Sequence, residues 1–205
     1  MQTFTQTLRH HWLTTEVNVI TAIAYFLMGL IGQLIAVPPG FATIIWPPAG
    51  LALAALLAFG KRTLPGVFIG AFSISVYIRI SSGNEINDWL IPVFMALFAT
   101  LQTYVGYLLV QRFVGLPMTY RKPSVIFRFL FITAVLSTLV GCTLSVLLLL
   151  QQGIISEDNL LSTWLSWWTG DAIGIIFTLP WLLSLFPRLA VTPFPRSRLT
   201  IAALA

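Results

Sequence analysis

Asp171 is the residue whose type and position most invite chemistry, because it lies near the middle of an apolar run from Leu161 to Phe186. A carboxylate at bilayer depth costs at least about 2.5–3.5 kcal/mol on insertion scales, so such groups face a bundle interior or a wet cavity. There Asp171 can bind a cationic or hydrogen-bonding ligand, respond to protons, or lock helices together, and the residue alone leaves these open. Gly170 and Gly174 flank it at a small-xxx-small spacing that lets a helix or a ligand come close. Trp164, Trp167 and Trp168 precede it within two turns, and Pro180, expected to kink the helix, follows. By helical rise Asp171 stands about 15 Å from either end of the run, close to mid-membrane.

A second irregularity is Trp46-Pro47-Pro48-Ala49-Gly50, since adjacent prolines followed by glycine do not suit a helix interior. Two readings fit. Either the backbone is bent at membrane depth and its carbonyls line a cavity, or a proline-rich helix starts at the outer interface with Trp46 in the aromatic belt. Gln102, Thr103 and Tyr104 are polar candidates for the same interior, and a polar step between packed helices explains them equally. The candidate ligand-binding set is Trp46, Pro47, Pro48, Gly50, Trp168, Gly170, Asp171 and Gly174.

Enzyme motifs are missing. The only histidines, His10 and His11, precede the first apolar run, and Cys142 is the only cysteine. That removes the usual Ser/His, Cys/His and zinc constellations and any internal disulfide, and no glycine-rich phosphate loop occurs. Neither catalysis nor a cofactor or metal is expected.

The elements that must position these residues follow from composition. At 58% hydrophobic and 8% charged, the chain is far too apolar for a water-soluble core of this length. Uninterrupted apolar runs, rather than alternation, exclude an outer-membrane barrel and predict an all-α, polytopic transmembrane helical bundle. Six spans are expected: Val17 to Val37, Ile44 to Gly60, Leu64 to Ile80, Leu90 to Val110, Val125 to Leu150 and Leu161 to Phe186. Residues 1–16 form a short basic segment ahead of them, and Pro38-Pro39-Gly40 ends the first span. Two glycines of the third span, Gly66 and Gly70, have helix-packing spacing.

Charge alternates between the connections. Lys61 and Arg62, then Arg112, Arg121, Lys122 and Arg128, then Arg188, Arg196 and Arg198 fall on one side; Glu85, Asp88, Glu157 and Asp158 fall on the other. The positive-inside rule places both termini in the cytoplasm. Arg79 is the one basic residue expected outside, snorkelling to the interface or, alternatively, pairing with a buried acid. The net charge of +5 reads as topology signal and lipid-headgroup contact, not as a nucleic-acid site. The final Leu-Thr-Ile-Ala-Ala-Leu-Ala looks like the start of a seventh span, as in a shortened product of a longer chain.

Taken together, three blocks carry a resemblance: Trp46 to Ala52, then Lys61-Arg62-Thr63-Leu64-Pro65-Gly66-Val67-Phe68-Ile69-Gly70-Ala71, then Trp168-Thr169-Gly170-Asp171-Ala172-Ile173-Gly174 with Pro180. In order and over residues 15 to 205 they resemble the MASE1 family of bacterial membrane-integral sensory domains. The resemblance implies about eight membrane helices and an input module fused to a diguanylate cyclase, sometimes with a phosphodiesterase, or to a histidine kinase. It places residues 17–205 in a sensory domain of the inner membrane. The expected partners are lipids, an unknown small molecule or membrane protein as signal, and a second copy in a homodimer. Two other classes remain: a small solute transporter or substrate-capture subunit, and a structural anchor that recruits a partner.

Overall fold

The computed structural model describes residues 2–35, 43–83, 89–114 and 127–185, the side chains of residues 2–13 and of Leu130 excepted. Among the described residues the regular elements are helical and there is no strand. They are α1 (Gln2–Leu34), α2 (Pro47–Phe59), α3 (Leu64–Ser81), α4 (Leu90–Leu109), α5 (Ser137–Gln151) and α6 (Leu160–Leu185). Wider π-type turns continue α4 over Val110–Val114 and lead into α5 over Phe129–Leu136.

Among the described residues five helical stretches are long and apolar enough to cross a membrane: Thr14–Leu34, Lys61–Ser81, Leu90–Val114, Phe131–Gln151 and Glu157–Leu185. The second apolar run differs. It gives the 13-residue α2, about 20 Å long against a hydrocarbon layer of about 30 Å. Nine of its residues are buried, from Pro48 to Leu57, so its apolarity answers to protein on nearly every side. Helix α1 starts at Gln2, so the basic N-terminal segment is helical and continuous with the first span. The proline-glycine stop at residues 38–40, the acidic pair Glu85 and Asp88, the basic residues Arg121, Lys122, Arg188, Arg196 and Arg198, and the expected seventh span lie outside the described residues.

Neighbouring helices close a ring in the order α1, α3, α4, α5, α6, α2 and back to α1, and α2 also reaches across to α4. Glycines set the closest approaches. The Gly66 N–H donates to Asn18 Oδ1 at 2.6 Å, while Asn18 Nδ2 donates to the carbonyls of Thr14 and Arg62, at 2.8 and 2.9 Å. A Cβ on Gly70 would come within 2.6 Å of Tyr25 Cβ, so the predicted packing role of this pair in α3 is realised against α1.

The two ends of the bundle are built differently. Around α2, Leu53, Leu56, Tyr107 and Leu179 are almost wholly buried and fill the end that carries Gly60. Towards the opposite end, no turn of α2 continues above Trp46, and the interior is hollow.

Candidate functional site

The start of α2 is fixed by α6. The backbone N–H of Trp46 donates to the carbonyl of Gly170 at 2.9 Å. A Cβ at Gly170 would strike the Thr43 carbonyl oxygen, and one at Gly174 would strike that of Trp46, so only glycine lets the Thr43–Pro47 backbone lie this close. A third glycine, Gly50, then packs on the Gly174 carbonyl and on Thr178 and Leu179. The helix-approach groove predicted beside Asp171 is thus filled by the chain's own backbone.

Pro47 and Pro48 occupy the first two positions of α2. A helix leaves its first N–H groups without internal acceptors, and proline carries none. The Trp46 N–H goes to Gly170 and the Ala49 N–H to the Trp46 carbonyl, at 3.2 Å, so the two prolines cover the remaining positions of a first turn set deep in the bundle. The motif combines parts of both readings: a proline-rich helix start is observed, but the non-helical backbone before it lies inside the bundle and lines the cavity, and Trp46 packs over Gly32 of α1.

Above this start lies a cavity of about 310 Å³. All five long helices contribute to its wall: Tyr25 from α1, Ile74 and Arg79 from α3, Met95 and Gln102 from α4, Cys142 from α5, Asp171 from α6. The floor is Thr43, Trp46 and Ala49. Among the described residues it reaches the surface at Gln152 and Ile154, just beyond α5.

Asp171 Oδ2 accepts a hydrogen bond from Gln102 Nε2 at 2.7 Å, the one hydrogen bond to this carboxylate among the described residues. Gly141 makes that possible, since a Cβ there would overlap Gln102 Oε1. Two further donors are buried in the wall without an acceptor: Arg79 Nε and Trp167 Nε1. The other two tryptophans of the cluster face α5. Trp164 and Trp168 stack at 5.7 Å, and their N–H groups donate to Thr143 Oγ1 and the Val135 carbonyl, at 3.0 and 3.1 Å.

Of the predicted candidates, Trp46 and Asp171 line the cavity, as do Gln102 and Thr103. Pro47, Pro48, Gly50, Gly170 and Gly174 form the joint beneath it, and Trp168 braces the π-type turns that lead into α5. Tyr104 points to the other end, where its hydroxyl meets Lys61 Nζ at 3.1 Å. Sequence reasoning named Trp167 without placing it in the candidate set, and gave Arg79 an interfacial role or, alternatively, a buried acid as partner. Trp167 was detectable, because it precedes Asp171 by four residues and so shares its helix face. The stripe Cys142, Ser145, Leu149 in α5 shows the same helical spacing.

The cavity has the properties of a small-molecule site: a concave, mostly apolar wall with a few convergent polar groups. Among the described residues no group of three or more His, Cys, Asp or Glu side chains could hold a metal ion. No curated protein and no solved structure matches the chain. The MASE1 family model matches residues 17–204, nearly the whole sequence, with the joint and the cavity inside the match. This multi-pass helical chain therefore belongs to the MASE1 family of membrane-associated sensory domains.

Proposed function

We propose that the chain is a signal-input domain of the bacterial inner membrane, in which occupancy of the cavity beside Asp171 shifts the bundle between two packings. The observation that carries this reading is that one cavity touches all five long helices. A ligand there contacts every element that must move. Any difference in its affinity for the two packings biases their equilibrium, and only such a difference can. The site comprises the lining residues Trp46 and Asp171, the joint formed by Pro47, Pro48, Gly50, Gly170 and Gly174, and the Trp168 brace.

In this reading residues 1–16 are a cytoplasmic extension and residues 17–205 the sensory domain, with α2 counted as a sixth, shortened membrane segment. Both termini are cytoplasmic, the protein works as a homodimer among lipids, and the output is a diguanylate cyclase or a histidine kinase joined beyond residue 205. The filled end of the bundle, around Leu56 and Tyr107, closes the cavity on that side.

The test uses the full-length protein. Ala99 of α4 lines the cavity, so Ala99→Phe, which fills it, and Asp171→Asn should each change basal output several-fold and blunt its response to the stimulus. Phe177→Leu, on the lipid-exposed surface, should change neither. If the cavity variants leave output and response as they were, the reading is wrong.

A further inference from the structure

The arrangement of polar groups along the cavity points to a particular ligand chemistry, and this step rests on the reading of the cavity as the sensory site. Arg79 lies in the last turn of α3, at the end of the bundle where the cavity opens. Trp167 sits one turn from Asp171 on α6, about 6 Å by rise, on the side of the opening. From mouth to floor the wall therefore presents a guanidinium Nε–H, then an indole N–H, then a carboxylate. Both N–H groups are buried and without acceptors, while the carboxylate has one oxygen taken by Gln102. Between these groups the wall is mostly apolar, with Ile74, Met95 and Leu149 beside the hydroxyls of Ser75 and Ser145.

Buried donors without acceptors cost about 1–3 kcal/mol each, and an arginine donor more, so two of them facing one cavity favour whatever brings an acceptor. A simple anion satisfies them but meets the Asp171 carboxylate at the floor. A simple amine satisfies Asp171 but leaves the donors orphaned. One molecule answers all three groups if it carries an acceptor at one end, a donor at the other and a short apolar middle.

We infer that the cavity binds a small zwitterion, with its carboxylate or phosphate on Arg79 Nε and Trp167 Nε1 and its ammonium on Asp171. The ammonium enters first and the acidic group stops near the mouth. A soluble amino-acid-like compound has this chemistry, and so does the headgroup of phosphatidylethanolamine, whereas phosphatidylcholine has no N–H to offer Asp171.

The experiment measures binding to the full-length protein in phosphatidylcholine nanodiscs, using radiolabelled β-alanine, γ-aminobutyrate and ε-aminocaproate as probes and hexylamine and hexanoate as competitors. At least one ω-amino acid should bind saturably, about tenfold or more tighter than hexylamine or hexanoate competes, as charge-assisted hydrogen bonds at both ends require. Asp171→Asn should reduce that probe to the level of hexanoate, and Arg79→Gln to the level of hexylamine. If phosphatidylethanolamine nanodiscs displace the probe, the natural zwitterion is the lipid headgroup; if they do not, it is soluble. Equal competition by all compounds overturns the zwitterion and leaves a ligand cavity of another specificity. Absence of saturable binding by any probe, with no change between the two nanodisc lipids, overturns it as well. The sensory reading fails separately, if a probe binds but Ala99→Phe leaves the output unaltered.

Discussion

Trp46 and Gly170 are joined by a 2.9 Å backbone hydrogen bond, and this bond sets the depth at which α2 begins. Because α2 starts there rather than at the membrane surface, the space above it is free to be a cavity. Glycine at 170 and 174 and proline at 47 and 48 are all consequences of placing a helix start inside a bundle.

The first prediction concerns the joint. Gly174→Ala puts a methyl group into the Trp46 carbonyl, whereas at Gly106 the added atom would meet Ser137 Cβ at 3.3 Å. Overpacking of a close backbone contact costs about 1–3 kcal/mol. Unfolding in mixed detergent micelles should show Gly174→Ala destabilised by that amount and Gly106→Ala by clearly less. Equal stability of the two would mean the joint yields easily.

Pro48 is almost wholly buried at the second position of α2. Pro48→Ala introduces a buried N–H in the first turn, where a helix supplies no internal acceptor, and an unsatisfied buried donor costs about 1–3 kcal/mol. A loss of stability is expected, although alanine is a better helix former than proline in most settings. An unchanged or raised unfolding midpoint would show that water or a side chain serves the new donor.

Gln102 and Asp171 should be coupled. A double-mutant cycle with Gln102→Leu and Asp171→Asn is expected to give about 0.6–1.7 kcal/mol, the range of interhelical hydrogen bonds in membranes. Gly141→Ala, remote in sequence from both, should erase the coupling by displacing Gln102. Additive single variants would remove the bond from the energetics of the site.

Cys142 lines the cavity and is otherwise buried, so among the described residues the route of a small maleimide to it is the mouth by Gln152 and Ile154. Its alkylation, followed on the peptide by mass spectrometry, should slow at least several-fold in Ala99→Phe and stay unchanged in Phe177→Leu. Equal rates in both variants would place the reagent's route elsewhere.

The sequence made some of this legible and hid the rest for physical reasons. Asp171 stood out because a carboxylate in an apolar run is costly wherever it is, and the adjacent prolines at Pro47 stood out because they restrict the backbone locally. That these two features meet was hidden, since nothing in one chain says which glycine face receives which segment. The apolar run of α2 gave the right helix with the wrong reach, because residues such as Leu53 and Leu56 are as apolar when wrapped in protein as when wrapped in lipid. Of Trp164, Trp167 and Trp168, the four-residue spacing of Trp167 to Asp171 marks the one that shares the cavity face, whereas the bracing hydrogen bonds of Trp164 and Trp168 show only in the packing of α6.

The shortness of α2 also bears on how the protein is made. Thirteen residues do not cross the bilayer by themselves, so a segment like α2 enters the membrane as a passenger of α1 and α3. Its upper end acquires a backbone partner only when Gly170 has been synthesised, after α3, α4 and α5 are already in place. Until then the Trp46 N–H has no Gly170 carbonyl to meet. Completion of the cavity floor is therefore among the last events in assembly of the bundle, because a chain interrupted before α6 lacks Gly170, Asp171 and Gly174.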